Sequence, residues 1–301
     1  MNSRIVLLAA LLLSSPALAD TPIDQTHPLS PTGQVSIDNI KGRIVVVGWN
    51  RPEVRITGTL GEGVEKLEVE GSGDSLRIEV KYPSSGGGWF NWGGGNRGKP
   101  SVVEVSMPAT ASLSVDSVSA GVDVSGMRGR RLSVDSVSGD VRVRGAGPGQ
   151  GRFDSVSGGL DLELDSRDVE ADTVSGDIRL RGGIGGRVSL DTVSGNASLE
   201  AGTLERLSLS SVSGNGRLRA GLAEGGSISA DTVSGRLSLD LPADTSARLR
   251  VETFSGDITS PVGTVQTQQY GPGKSLDARL GDGSGDIRLE SFSGSVRVTL
   301  E

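Results

Sequence analysis

Six aspartates recur at nearly equal steps along the chain: Asp116, Asp135, Asp154, Asp172, Asp191 and Asp231. Ser210, Glu252 and Glu290 occupy the equivalent places in further copies of the same phrase. Carboxylates brought side by side repel one another unless they are screened or bridged, and Ca²⁺ bridges them with oxygen ligands. Asp is also favoured at turns, where its side chain bonds nearby backbone. A column of corner caps satisfied by backbone and water therefore explains the same pattern without a metal. A glycan hydrolase would set two carboxylates across a cleft. Here the acids form a regular ladder between short turns, which suggests no deep cleft. Ser-His and Cys-His catalysis and ordinary zinc sites are excluded, because the chain has no Cys and its one His, His27, lies outside the repeats. Gly-rich phrases such as "GAGPGQG" lack the spacing of a phosphate loop.

A second candidate is the segment "GGGWFNWGGG", which carries Trp89, Phe90 and Trp92 between runs of Gly. Exposed aromatics grip sugars, membranes and protein partners. The same three rings would equally serve as a cap folded over one end of the molecule. A third candidate is the set of arginines Arg142, Arg144, Arg179, Arg181, Arg217 and Arg219. They alternate with acids, so mutual neutralisation is a better account of them than anion binding.

What positions these residues is repetition. "DSVSGDVRVRG", "DSVSGGLDLEL", "DTVSGDIRLRG", "DTVSGNASLEA" and "DTVSGRLSLDL" are variants of one phrase. Its anchor, the Val or Phe before Ser, falls at Val118, Val137, Val156, Val174, Val193, Val212, Val233, Phe254 and Phe292. Successive anchors lie 18 to 21 residues apart, except for a last gap of 38 that contains "PVGTVQTQQYGPGKSLDARLGDGSGD". A fixed period near 19 with two strand signals per period predicts stacked coils. Within one period, Leu132 and Val134 share one parity, while Val137, Gly139, Val141 and Val143 share the other. Because side chains alternate across a strand, the apolar face stays inside only if the chain turns a corner, placed at Asp135-Ser136. The inward Gly permits a close backbone approach. Seven residues after each anchor stand Ser125, Arg144, Glu163, Arg181, Glu200, Arg219 and Asp240. In a parallel, in-register stack these alternating charges become neighbours about 4.8 Å apart.

The expected fold is thus all-β: a single-stack parallel β-solenoid (β-helix) with ~19-residue coils of two short strands each. Residues 1–19, "MNSRIVLLAALLLSSPALA", read as a signal peptide, cut before Asp20. Residues 20–34 are expected as a linker and 35–108 as an irregular β section containing the Gly-rich loop 84–100. Regular repeats follow over 109–301, with an insertion at about 260–283. The chain is then expected to be exported, periplasmic or secreted, with no transmembrane anchor in its mature form. The net charge of −7 becomes −8 once Arg4 is removed, which argues against nucleic acid as a partner.

The repeated [S/T]-V-S-G-[D/N] phrase resembles a bacterial family of unknown function described as adhesin-like, with β-strand repeats. The opening "SIDNIKGRIVVVGWNRPEVRITG" and the ending "LGDGSGDIRLESFSGSVRV" are similar to the same family. The resemblance spans roughly residues 35–301, and the Gly-rich loop departs from it. It implies a β-helix-like fold in the cell envelope, similar to the head domain of autotransporter adhesins, and it brings no catalytic residues. The expected role is that of a non-enzymatic envelope scaffold or adhesin-like binding module for an envelope protein or polysaccharide. No cofactor is expected unless Ca²⁺ occupies the aspartate ladder. A Ca²⁺-stabilised structural repeat and a polysaccharide-active enzyme stand as alternatives.

Overall fold

Alternation of apolar and polar residues, broken by Gly every few positions, produces short strands joined by tight turns. A computed structural model describes residues 21–83, 98–269 and 271–301. The described residues form 21 strands and no helix. All the strands belong to one hydrogen-bonded sheet. Each repeat contributes a first strand, such as Arg131–Ser136, and a second, such as Val141–Ala146. Each pairs with its counterpart in the next repeat, parallel and in the register that sequence equivalence predicts. Asp135 faces Asp154, Asp154 faces Asp172, and Asp172 faces Asp191. One continuous core runs through the repeats, with Val134, Val141 and Val143 fully buried in a single coil. Large and small residues compensate between columns: a Cβ on Gly151 would lie 2.8 Å from the ring of buried Phe153.

The corner lies one or two residues later than expected. Along Arg131–Ser136 the inward positions are Leu132, Val134 and Ser136, and the chain then bends at Val137-Ser138. Ser136 is 6% exposed and Val137 is 46% exposed, so the anchor valine points out of the protein. Hydrogen bonding explains the choice. The Ser136 hydroxyl donates to the Gly139 carbonyl at 2.8 Å and accepts from the Gly139 amide at 3.1 Å. Ser117 does the same with Ala120, and Thr173 and Thr192 accept from the amides of Gly176 and Gly195. A buried hydroxyl thereby satisfies two backbone groups that the bend leaves without ladder partners, which a Val in its place could not do. The expected Gly contact is present: a Cβ on Gly139 would sit 1.9 Å from the Ala120 carbonyl oxygen, and one on Gly195 would sit 1.8 Å from that of Gly176.

The sheet is mixed and not wholly parallel. Residues 21–28, expected as linker, are the start of the strand Thr21–Trp49 and pair antiparallel with Glu53–Leu60. The rest of Thr21–Trp49 is already a regular coil, with Asp38 opposite Asp116 and Asn39 opposite Ser117. At the far end, Lys274–Leu280, inside the expected insertion, runs antiparallel along Ala247–Thr253 and covers its edge. The coils also do not follow chain order. Gly285–Ser293 pairs on one side with Gly216–Ser234 and on the other with Ala247–Thr253. Val296–Leu300 likewise lies between Leu237–Leu241 and Ile258–Thr259. The 285–300 coil is therefore inserted between two coils that precede it in sequence.

Candidate functional site: an apolar and acidic groove along the corners

Stacking identical corners converts each position of the repeated phrase into a column. The outward position before the inward Ser or Thr becomes the acid ladder. Its order in space is Glu79, Asp38, Asp116, Asp135, Asp154, Asp172, Asp191, Ser210, Asp231, Glu290 and Glu252. The outward position after it becomes an apolar ladder: Ile40, Val118, Val137, Val156, Val174, Val193, Val212, Val233, Phe292 and Phe254. Every member of it is between 36% and 57% exposed. Phe292 and Phe254 are adjacent rungs, and their rings stack 4.9 Å apart, 8° from parallel. Between the two ladders runs a groove of about 1550 Å³, bounded at one end by Tyr82 and at the other by Lys274 and the two phenylalanines. Ten rungs at about 4.8 Å make the apolar strip roughly 45 Å long. Single exposed valines are ordinary on a protein surface, whereas a contiguous strip of this length marks an interaction site.

Burial beside the valines and repulsion along the column govern the acids. Burial is the largest influence raising the Asp172 carboxyl to about 7, followed by the charges of Asp191, Asp154 and Glu170. Its Oδ1 is buried without a hydrogen-bond partner. Burial and the neighbouring Asp154 and Asp116 push Asp135 up to about 6. Asp38 and Asp231 are raised for the same reasons, with Arg77 and Arg288 acting against the shift. Arg152 is the main cation in the middle of the ladder, 2.9 Å from Asp154, 2.6 Å from Glu170 and 3.9 Å from Asp172.

The six aspartates raised as Ca²⁺ ligands thus stand in one in-register column with Ser210 and the two glutamates. Three of them bond side chains of their own strands: Ser133, Arg152 and Ser189 donate to Asp135, Asp154 and Asp191. Among the described residues, no group of three or more His, Cys, Asp or Glu side chains is arranged to hold a metal ion. The carboxylates also project from one wall of the groove, whereas glycoside hydrolysis needs a carboxylate on each side of the scissile bond. Trp89, Phe90 and Trp92 lie outside the described residues, as does the expected signal peptide. No helix of the described residues is long and apolar enough to cross a membrane.

The arginine columns lie beyond the corner, on the second strands. Arg181 bonds Glu163 at 3.1 Å and Asp161 at 3.3 Å across the repeats, as the alternation implies. Arg142 and Arg179 instead reach Asp140 and Asp177, two residues back on their own chain segments. A further register device sits just after the corner glycine. Asn196 donates from Nδ2 to Asp177 Oδ1 at 3.1 Å, and Asn215 donates from Nδ2 to Asn196 Oδ1 at 3.0 Å.

The described residues thus form an all-β array of repeated coils with a groove along its corners. The chain belongs to the Toastrack DUF4097 family, whose model matches residues 30–299. It is similar to a solved structure described as a "putative adhesin" from Parabacteroides merdae, with 11% identity, a TM-score of 0.55 and coverage of 92% of this chain and 96% of that one. It is also similar to a "putative lipid binding protein" from Parabacteroides distasonis, with 13% identity, a TM-score of 0.54 and the same coverage. Such identities show a common fold. No curated protein matches the chain significantly.

The apolar ladder is the feature that sequence reasoning missed. Nine of its ten residues are the anchors of the repeated phrase, expected on the inward parity, and Ile40 is not among those anchors. The available signal was the Ser or Thr before every member except Ile40, a side chain able to satisfy the bend from inside.

Proposed function

We propose that this chain is an exported, non-enzymatic β-solenoid that serves as an adhesin-like binding module of the cell envelope, and that the groove between the acid and apolar ladders is its binding surface. The observation that carries this reading is the unbroken row of ten outward apolar rungs, none of which contributes to the core. Folding alone gives no reason to keep Val or Phe at an exposed corner, where Ser or Thr would serve the backbone equally well. A long, shallow surface suits an elongated ligand. The fold shared with proteins described as an adhesin and a lipid binding protein supports the same assignment. Export rests on residues 1–19, and recovery of a mature chain starting at Asp20 from the envelope fraction tests it.

Site-specific photocrosslinking in the living cell tests the binding surface. A crosslinking residue at position 156 or 193 should yield a discrete adduct, while one at Arg144 or Glu200, beyond the corner, should not. Equal adducts from both faces, or adducts from the second face alone, would remove the groove from consideration.

A further inference from the structure

We infer that the occupant of the groove is a cationic amphipathic helix of another polypeptide, lying along the stack with its apolar stripe on the valine ladder and its basic flank on the acid ladder. This rests on the groove being the binding surface and adds the chemistry of what it binds. Two observations carry it. The first is charge. One wall is a file of ten acids in eleven rungs. Arg77, Lys81, Arg152 and Arg288 answer only part of that charge. A ligand bringing cations relieves the repulsion along this wall, whereas a phosphate or carboxylate headgroup aggravates it. The second is pitch. Rungs recur about every 4.8 Å. The apolar stripe of a helix recurs every three to four residues, about 5.3 Å. Same-side residues of an extended strand recur at roughly 6.8 Å and fall out of step within two or three rungs. A helix of about 30 residues would span the whole strip.

The protonation pattern agrees with this geometry. Asp135 faces Asp116, Asp154 and Arg152, while Asp172 faces Asp154, Asp191, Glu170 and Arg152. Burial first, and then the neighbouring carboxylates, raise Asp172 to about 7 and Asp135 to about 6. A helix lysine laid beside them favours the ionised form, so binding releases protons and tightens as pH rises.

The test uses the whole chain and a synthetic peptide of three Leu-Lys-Lys-Leu-Leu-Lys-Leu heptads, with a Glu-for-Lys peptide and a sequence-scrambled Leu/Lys peptide as controls. Because the protein has no Cys, a single Val156→Cys labelled with an environment-sensitive dye reports the groove, and Arg144→Cys reports the opposite face. The expected result is a blue shift at position 156 alone, with the amphipathic Lys peptide alone. Affinity should tighten roughly tenfold between about pH 5.5 and pH 8. Val137→Ser, Val174→Ser and Val193→Ser together should weaken it by roughly thirtyfold while the melting temperature holds. Equal binding of the scrambled or Glu peptide, or no response at either label, overturns the inference. If dodecanoate or phospholipid vesicles shift the position-156 dye and the Lys peptide does not, the helix is refuted and the groove stands. If no probe responds at position 156 and photocrosslinking there fails too, both fall together.

Discussion

Asp172→Asn should stabilise this protein at neutral and alkaline pH and leave it unchanged in acid. The folded chain holds the Asp172 carboxyl at about 7, against about 3.9 in an unfolded chain. Between those values the folded state binds a proton that the unfolded state releases, so stability falls as pH rises from about 4 to 7 and is flat beyond. Three units at about 1.4 kcal/mol each would give about 4 kcal/mol. The side chain retains 30% of its exposure, and solvent screening reduces that figure to roughly 1–2 kcal/mol. Asn keeps the shape, carries no charge and offers an amide to Asp154 and Asp191 on either side. Arg152 is not stranded, because Asp154 and Glu170 still hold it. Urea unfolding followed by far-ultraviolet circular dichroism at pH 4.5 and pH 8 measures the effect. The variant should match the parent at the lower pH and exceed it by about 1–2 kcal/mol at the higher. A variant that is less stable at pH 8, or that differs equally at both pH values, would show that the ladder does not hold this carboxyl in strain.

Other consequences follow from the corner and the columns. Gly195→Ala should destabilise by about 3 kcal/mol or more in the same urea assay, because its Cβ meets the Gly176 carbonyl oxygen at 1.8 Å. Val156→Ser should change stability by less than about 0.5 kcal/mol, whereas Val134→Ala, inside the same stack, should cost about 1–3 kcal/mol. If the two cost the same, the valine is not outward. Asn196→Ala should cost about 1–2 kcal/mol, since it removes the acceptor used by Asn215 and the donor to Asp177. Treatment with EDTA should leave the melting temperature unmoved, and a fall of several degrees restored by Ca²⁺ would bring the metal reading of the aspartates back.

The period near 19, the columns it creates and the close glycine contact were legible because identical residues in parallel, in-register strands must be neighbours. The exact bend was not. Between Val134 and Gly139 the parity has to switch once, and alternation is satisfied by a switch at any point between them. An apolar residue was assigned to the inside by default. Only the two hydrogen bonds of Ser136 to Gly139 decide that the hydroxyl goes in and Val137 goes out. The groove disappeared from the sequence reading with that one assignment. The order of coils was hidden for a different reason. Equivalence says which residues share a column and nothing about which rungs touch, and Glu252 and Glu290 suit either order. Residues 21–28 read as linker because the stretch 20–34 is rich in Pro and Thr, yet an outer antiparallel strand tolerates prolines that an interior one does not.

The displaced 285–300 coil has a consequence for how the molecule comes into being. A ribosome delivers residues 247–259 before 285–300, so the earlier segment is finished while the rung it must rest on does not yet exist. The coils over 112–241 can zip up one after another as they emerge, each on the last. The remainder cannot, and waits until its missing floor has been translated, whereupon two rungs and the covering strand settle in a single event. A nascent chain arrested anywhere between those points carries an unsealed strand edge at 227–241, the kind of surface that chaperones hold and aggregates recruit. Completion of this protein is therefore checked in its interior and not at its tip.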